Sequence, residues 1–366
     1  MSKKIKIIIA AGGTGGHVLP GYNLGNHLKE LNYDVNLVTD KRGIKFLSNL
    51  NKINIFLLPS SPLIKKNIFM TFFSLLFIIY SILRSLIFLV FKRPSIILGM
   101  GGYASLPICI ACAILRIKFI IYENNLIIGK ANKYLLPFAE KLFVAYKELE
   151  GIPKKFDSKT VEVGNIVKKE IIELFKDNSQ NQNTSDKLTL LVLGGSQAAK
   201  VFAEILPNIF KECKNKGIPL KILQQCLPNQ NEELSLFYKN ENIDFETFNF
   251  SNNLQSYFSK ANLAITRSGS SMLAELTNCN LPFIAIPLPS SADNHQFKNA
   301  TFYKNKDFAF IIEEKDLENK LLSLIEKIYK NKSLLIEIKN NQRQYSDKNV
   351  YNNVSTILKD IINEKN

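Results

Sequence analysis

Twice in this chain a short apolar run passes directly into glycines. Ile5-Lys6-Ile7-Ile8-Ile9-Ala10-Ala11 leads into Gly12-Gly13-Thr14-Gly15-Gly16-His17, and Leu188-Thr189-Leu190-Leu191-Val192-Leu193 leads into Gly194-Gly195-Ser196-Gln197. Near-continuous apolar runs mark strands buried on both faces, as in a parallel sheet. Glycines after such a strand let the backbone turn sharply and approach a ligand closely. A helix beginning there aims its first N–H groups at an anion. The same device in separate halves predicts two nucleotide-type α/β domains, each a Rossmann-like parallel sheet, facing one cleft.

The rest of the chain keeps this rhythm. The first half reads as a strand over 5–11, a helix over about 18–31, a strand over 35–38, and further αβ units to about residue 164. Two later strands end in polar or glycine turns: Ser95-Ile96-Ile97-Leu98 before Gly99-Met100-Gly101-Gly102-Tyr103, and Phe119-Ile120-Ile121-Tyr122 before Glu123-Asn124-Asn125. Lys176 to Lys187 contains no apolar residue and reads as a linker or exposed loop. The second half restarts at Leu188 with the same order of strand, glycines and helix. It continues through the strands Ala261–Thr266 and Leu281–Pro287 to a helical end over about 317–364, broken near Tyr345-Ser346. Ligands of parallel sheets bind at the carboxyl ends of strands, and every glycine-rich turn named here lies at that edge.

One segment departs from the pattern of a soluble protein. Ile68 to Phe91 carries a single charge, Arg84, and is flanked by Lys65, Lys66, Lys92 and Arg93. It is long enough to cross a bilayer. Crossing would put the first strands on the opposite side of the membrane from the rest of their sheet. A helix with one face on the protein and the other on lipid fits the basic flanks and the wealth of Phe, Leu and Ile. A plain core helix is the alternative.

Charge narrows the partners. Lys and Arg number 47 against 32 Asp and Glu, a formal charge of +15. Such a surface favours phosphates or an anionic membrane. No basic stretch is interleaved with aromatics, so nucleic acid is not expected. The five cysteines (Cys109, Cys112, Cys213, Cys226 and Cys279) are odd in number and scattered, which argues against a disulfide framework. Cys109 and Cys112 have redox spacing but sit in an apolar run and read as core packing. The opening Met1-Ser2-Lys3-Lys4 imitates a signal peptide, but its apolar stretch is too short; a cytoplasmic location is expected.

The chemistry-bearing residues form a constellation in chain order. After the two glycine-rich openings come Gly101-Gly102-Tyr103-Ala104-Ser105, Glu123-Asn124-Asn125 and Gly164-Asn165. The second half adds Arg267-Ser268-Gly269-Ser270-Ser271-Met272-Leu273-Ala274-Glu275 and Asp293-Asn294-His295-Gln296-Phe297-Lys298-Asn299-Ala300. In this order the set resembles the GT-B glycosyltransferases, most closely the MurG-type UDP-N-acetylglucosamine (UDP-GlcNAc) transferases, along essentially the whole chain.

The resemblance implies inverting transfer of GlcNAc from UDP-GlcNAc to undecaprenyl-pyrophosphoryl-MurNAc-pentapeptide in peptidoglycan synthesis. The enzyme would act peripherally at the cytoplasmic face of the cell membrane, on an anionic surface. It implies residues 1–164 as the acceptor and membrane domain, 165–187 as a linker and 188–342 as the donor domain. A C-terminal helix, about 343–366, would pack back on the first domain. No cofactor or metal is implied, and no Asp-x-Asp motif occurs.

By the same resemblance, Ser196 and the turn Ser270, Ser271, Met272, Leu273 and Ala274 hold the diphosphate, and Glu275 accepts the ribose hydroxyls. The loop at Ser251 meets uracil, Gln296 and Asn125 face the sugar, and Lys168 stands near the UDP or hinge. Thr14, Gly15 and Gly16 form an anion site for the acceptor. His17 is the candidate general base, although a histidine heading a helix could instead only position phosphate. His295 is a second candidate, and His27 reads as a surface or packing residue.

Four positions depart from the family pattern. Ala198 stands where glycine is usual, Ile166 where proline is usual, Lys168 where arginine is usual and Tyr122 where histidine is common. Other readings of the same scaffold are a different UDP-sugar lipid transferase, a UDP-GlcNAc epimerase or a non-catalytic nucleotide-sugar-binding subunit.

Overall fold

A computed structural model describes residues 4–47, 52–60, 68–174, 187–249, 251 and 253–364. The chain divides into two compact units, Met1–Lys168 with Asp347–Asn366, and Lys169–Ser346. Of the residues 165–187 expected as a linker, 175–186 lie outside the described residues, and Lys169–Leu174 form a helix.

The first unit is a seven-stranded parallel sheet. Its strands are β1 (Lys6–Ala10), β2 (Asp34–Thr39), β3 (Asn54–Leu57), β4 (Ile96–Gly99), β5 (Phe119–Glu123), β6 (Lys141–Val144) and β7 (Thr160–Glu162). They lie in the order β3-β2-β1-β4-β5-β6-β7. The order reverses between β1 and β4, so the turns after these two strands meet where such sheets bind ligands. The helices α1 (Gly15–Glu30), α2 (Ile68–Lys92), α3 (Ser105–Leu115) and α4 (Lys130–Leu135) make the connections. The core joins Ile8, Ile97, Phe119, Ile121 and Leu142 of the sheet to Leu106, Ile108, Cys109 and Cys112 of α3. Burial pushes the Cys109 and Cys112 thiols far above their ordinary range, so this pair packs as a small hydrophobic element.

Helix α2 is inside out. Its inner face, packed on α3, carries Ser74, Ile78, Ser81, Ser85 and Leu89, all buried. The Ser81 and Ser85 hydroxyls donate to the carbonyls of Phe77 and Ser81, each at 2.7 Å, so their burial leaves no orphaned donor. The outer face carries Phe69, Phe72, Phe73, Leu76, Leu83, Ile87 and Phe91, all exposed. Small residues allow close approach to α3, while the large apolar side chains face outward. At roughly 1.5 Å per residue its 25 residues could cross a bilayer. The sheet excludes crossing: β1, before the helix, and β4, after it, are hydrogen-bonded neighbours in register from Ile7↔Ile96 to Ala10↔Gly99.

The second unit is a six-stranded parallel sheet. It contains β8 (Leu188–Leu193), β9 (Leu220–Gln225), β10 (Asp244–Phe248), β11 (Leu263–Arg267), β12 (Phe283–Ile286) and β13 (Ala309–Ile311). The order is β10-β9-β8-β11-β12-β13, with the reversal between β8 and β11. Its helices are α5 (Lys169–Leu174), α6 (Gly195–Asn215), α7 (Asn231–Asn240), α8 (Gln255–Phe258), α9 (Ser270–Asn278), α10 (His295–Asn305), α11 (Leu317–Lys330) and α12 (Ser333–Arg343). Residues 331–332 separate α11 from α12, a break that the apolar spacing of the sequence did not mark.

The last helix, α13 (Val350–Asn363), belongs to the first unit. The Tyr351 hydroxyl donates to the Val167 carbonyl at 2.6 Å, and Lys118 donates to the Ile361 carbonyl at 3.3 Å. His27 is buried against α13. The Ser355 hydroxyl donates to the Tyr351 carbonyl and so accepts from His27 Nε2, 2.8 Å away. His27 is thus a packing residue.

Candidate functional site

In the first unit the turns after β1 and β4 interlock through their glycines. Gly102 has φ +76, and a Cβ there would lie 2.2 Å from the Gly12 carbonyl oxygen; a Cβ on Gly12 would lie 2.4 Å from that of Ala104. Neither position tolerates a side chain. Thr14 is the N-cap of α1, with Gly15, Gly16 and His17 in its first turn. The Nδ1–Cε1 edge of the His17 ring lies over Gly101 (φ +91), where a Cβ would come within 2.9 Å of Nδ1. The glycine makes room for the imidazole.

Two buried carboxylates set these loops. Asp40, at the end of β2, accepts the backbone N–H of Gly13 at 3.0 Å and of Gly43 at 2.7 Å. It also accepts the Ser60 hydroxyl at 2.6 Å and pairs with Arg42 at 3.2 Å. Burial pushes the Asp40 carboxyl up, but these hydrogen bonds and the Arg42 charge outweigh it and hold the group below its ordinary value. Glu123, at the end of β5, accepts from the Asn125 backbone and side chain, the Gly129 backbone and Asn132 at 2.9–3.1 Å. Asn125 therefore gives its side-chain amide to its own loop, donating also to Asn124 at 3.1 Å. Asn124 donates to the Gly16 carbonyl at 3.0 Å and ties this loop to the first turn of α1.

Tyr122 explains its own departure from the pattern. Its hydroxyl donates to the Gly164 carbonyl at 3.1 Å and accepts the Ile166 N–H at 3.2 Å. It fixes the strand end that leads to Lys168, the last residue of this stretch of the unit. Gly164 has φ +97, and a Cβ there would lie 2.8 Å from Asp347 Oδ1.

In the second unit the turns after the neighbouring strands β8 and β11 carry Gly195 and Gly269. A Cβ built on either would meet nothing within 4 Å. Gly195 takes the left-handed φ of +63, while Ala198 lies within α6, where alanine is the best helix former. Ser196 lies in the first turn of α6, its side chain outside what is described. Ser270, Ser271, Met272, Leu273, Ala274 and Glu275 form the first two turns of α9, whose N-cap is Gly269. Glu275 is half-buried and Ser270 buried.

The loop after β12 closes on this turn. Gln296 Oε1 accepts the backbone N–H of Ser268 at 3.2 Å and of Leu288 at 3.0 Å, and Asn299 donates to the Ser268 carbonyl at 3.2 Å. Asp293 and Asn294 both take left-handed φ, +51 and +56, immediately before α10. Consecutive residues there are costly and are found where a loop is held for function. His295 Nδ1 lies 2.8 Å from the Ala292 carbonyl; as a carbonyl only accepts, Nδ1 carries a proton. Arg267 is buried, donates to the carbonyls of Ile286 and Pro287 at 3.3–3.4 Å, pairs with Glu314 and stacks on Phe202. It is a brace of the turn. Ser251 stands on the loop after β10, three places across the sheet from β11, and accepts the Asn253 N–H at 3.1 Å.

The geometry thus gathers Thr14–His17 with the Asn125 loop in one unit, and Ser270–Glu275 with Gln296 in the other. The Asp40 hub was not legible as a motif, because Asp40-Lys41-Arg42-Gly43 reads locally as an ordinary turn.

Comparison with known proteins agrees with this architecture. Residues 7–144 match the glycosyltransferase family 28 N-terminal domain, and residues 189–354 match the family's C-terminal domain. The UDP-N-acetylglucosamine–N-acetylmuramyl-(pentapeptide) pyrophosphoryl-undecaprenol N-acetylglucosamine transferase of Pelagibacter ubique is 35% identical over 361 residues, 98% of this chain and 99% of that one. The protein of the same name from Rickettsia canadensis is 36% identical over 328 residues, 87% of this chain and 90% of that one. The crystal structure of Acinetobacter baumannii MurG superposes with a TM-score of 0.78 at 23% identity, covering 98% of this chain and all of that one. Two parallel-sheet units, the glycine turns at their switch points and these full-length likenesses together make the chain a GT-B glycosyltransferase of family 28, a member of the MurG-type family of N-acetylglucosamine transferases.

Proposed function

We propose that the chain transfers GlcNAc from UDP-GlcNAc to the lipid-linked muramyl-pentapeptide, converting lipid I to lipid II in peptidoglycan synthesis. The observation that carries this reading is the full-length identity to transferases of that name, 35% over 98% of the chain. The site chemistry is consistent with it. Glycosyl transfer from a nucleoside diphosphate needs a diphosphate cradle and a base for the acceptor hydroxyl.

The first turn of α9 supplies the cradle. Backbone N–H groups at a helix N-terminus, with the helix dipole behind them, stabilise the charge that grows on UDP as the glycosidic bond breaks. Ser196 shares this role. Glu275, inside α9, accepts the ribose hydroxyls, and the Ser251 loop meets uracil. Gln296 holds the diphosphate turn and offers its amide to the sugar, and Asn125 is a further sugar contact. Lys168 adds a cation to UDP. Thr14, Gly15 and Gly16 take the acceptor's diphosphate.

The acceptor's muramyl hydroxyl attacks the anomeric carbon, its proton passes to His17, and the bond to the UDP oxygen breaks with its electron pair leaving on UDP. A single displacement of this kind inverts the α-linked donor to a β-linked product. Helix α2 lies on the cytoplasmic membrane with its outer aromatic face in the lipid interface, which brings the enzyme to an acceptor that never leaves the bilayer.

The test is transfer itself. The purified chain incubated with radiolabelled UDP-GlcNAc and the lipid acceptor is expected to yield labelled lipid. Absence of labelled lipid beside an active control transferase would refute the proposal, and an epimer formed from UDP-GlcNAc alone would select the epimerase.

A further inference from the structure

The loop after β2 runs beside the first glycine turn and brings a cation to it. β1 and β2 pair in register from Lys6↔Asp34 to Ala10↔Val38. The two chains then leave the sheet side by side, for Ala11 donates to the Val38 carbonyl at 2.9 Å and Gly13 to Asp40 Oδ1 at 3.0 Å. Gly43–Phe46 follow as one 3-10 turn. Arg42 Nη2 lies 3.6 Å from where a Cβ on Gly13 would sit, and the Phe46 ring 3.2 Å from where a Cβ on Gly15 would sit. The β2 loop thus covers both neighbours of Thr14, the N-cap of α1.

Three contacts fix the Arg42 guanidinium. Nη2 donates to Asp40 Oδ2 at 3.2 Å, the group lies over the Tyr103 ring at 5.8 Å from its centroid, and Nη2 stands over Gly13. One side chain therefore touches the turns after β1, β2 and β4, which are neighbours in the sheet.

The ion pair is layered. The Asp40 side chain is 4% exposed and that of Arg42 52%, so an anion approaching the turn meets the cation before the carboxylate. Asp40 has other partners, since two backbone N–H groups and the Ser60 hydroxyl also donate to it. A half-exposed ion pair adds little to folding, so stability alone does not account for a cation held on three sides. Arginine carries five N–H donors in a planar fork. Among the described residues, Arg42 gives one of them to Asp40.

We infer that Arg42 grips the acceptor's diphosphate at the first glycine turn by two parallel N–H···O bonds, with Asp40 and Tyr103 holding the fork in place. The inference rests on the reading that Thr14, Gly15 and Gly16 take that diphosphate, and it adds the side chain whose charge meets it. The donor's diphosphate offers the same chemistry, and the experiment separates the two.

The experiment is steady-state transfer by the full chain to two soluble acceptors. Both carry the same short prenyl chain on the muramyl-pentapeptide, one through a diphosphate and one through a monophosphate. Arg42→Gln and Arg42→Lys are compared with Ser60→Ala, which removes another donor from Asp40 and no charge. A hydrogen bond to a charged group is worth about tenfold to a hundredfold. Arg42→Gln is expected to raise KM for the diphosphate acceptor by that factor, with kcat, KM for UDP-GlcNAc and UDP affinity unchanged. The preference for diphosphate over monophosphate should fall with it, because the second phosphate adds a charge that a direct cation contact feels. Arg42→Lys, which keeps the charge without the fork, should recover part of the loss. Ser60→Ala should keep the preference.

An equal rise in KM on both acceptors, or the same loss of preference in Ser60→Ala, would make Arg42 a support of the loop and overturn the contact. A raised KM for UDP-GlcNAc with an unchanged acceptor KM would move Arg42 to the donor and overturn the assignment. Unchanged kinetics of Arg42→Gln would overturn it outright. Failure of the underlying reading has a different signature: an unaltered chain that uses both acceptors equally refutes a diphosphate site at the turn, and one that uses neither refutes the transfer itself.

Discussion

Gln296 Oε1 lies 3.2 Å from the backbone nitrogen of Ser268 and accepts its hydrogen bond, while accepting another from Leu288 at 3.0 Å. One side-chain oxygen thereby joins the turn after β11, which leads into α9, to the loop after β12. Gln296→Ala removes the shared acceptor and leaves two backbone donors to find another, at a cost of about 1–3 kcal/mol each if they stay buried. The expected outcome is a lower melting temperature and weaker binding of UDP as well as of UDP-GlcNAc. Calorimetry with both ligands checks this. Were Gln296 only a sugar contact, UDP affinity would not change.

Glu275 is proposed to accept the ribose hydroxyls. A hydrogen bond to a charged group is worth about 1.5–3 kcal/mol, so Glu275→Ala is expected to weaken UDP binding by roughly one to two orders of magnitude. The unaltered chain should prefer UDP to 2′-deoxy-UDP, and the variant should lose that preference. Titration of both nucleotides against both proteins reads the result.

His17→Gln should separate chemistry from binding. General base catalysis contributes about 10²- to 10⁴-fold, so kcat is expected to fall by that order with UDP affinity unchanged. The acid limb of the pH–rate profile, where a protonated imidazole can no longer accept, should disappear with it. If His17 only positioned phosphate, the variant would raise KM for the lipid acceptor and keep the acid limb.

Asp40 links pH to the glycine turn. Its carboxyl is held below its ordinary value in the folded chain, so the unfolded chain takes up the proton first as pH falls. The stability this group contributes is present above the ordinary aspartate range, near 3.9, and is lost as pH falls through the depressed folded value. Asp40→Asn should therefore be less stable than the unaltered chain at neutral pH, with the gap closing toward low pH. Denaturant melts over that range test the sign.

The outer face of α2 should be dispensable for folding. Phe72 and Phe73 are each 57% exposed, and surface substitutions away from special features usually fall within about 0.5 kcal/mol. Phe72→Ser with Phe73→Ser is expected to leave the melting temperature and UDP binding unchanged and to release the chain from vesicles. Unchanged sedimentation would place the lipid contact elsewhere.

Where the sequence could be read, it was through local pattern. Apolar runs ending in glycine announced β1, β4 and β8, because strand burial and turn geometry are both local demands. The same locality exposed α2, whose lack of charge is visible without any structure. What stayed hidden depends on partners distant along the chain. Asp40 meets Gly13 across 27 positions, and Arg267 meets Glu314 across 47. Arg267 stands inside the block that carries the resemblance, yet its guanidinium braces the turn from below. Gln296 likewise read as a sugar contact, and its bond to Ser268 gives it a second task that no spacing could announce. The inner serines of α2 became intelligible only once α3 was seen against them.

A crystal structure of the chain with UDP-GlcNAc tests most directly whether α9 is the diphosphate cradle. The diphosphate oxygens are expected within hydrogen-bonding distance of the backbone nitrogens of Ser270, Ser271 and Met272, and the ribose hydroxyls on Glu275. Density for the nucleotide away from the turn after β11, with Glu275 facing solvent, would contradict it.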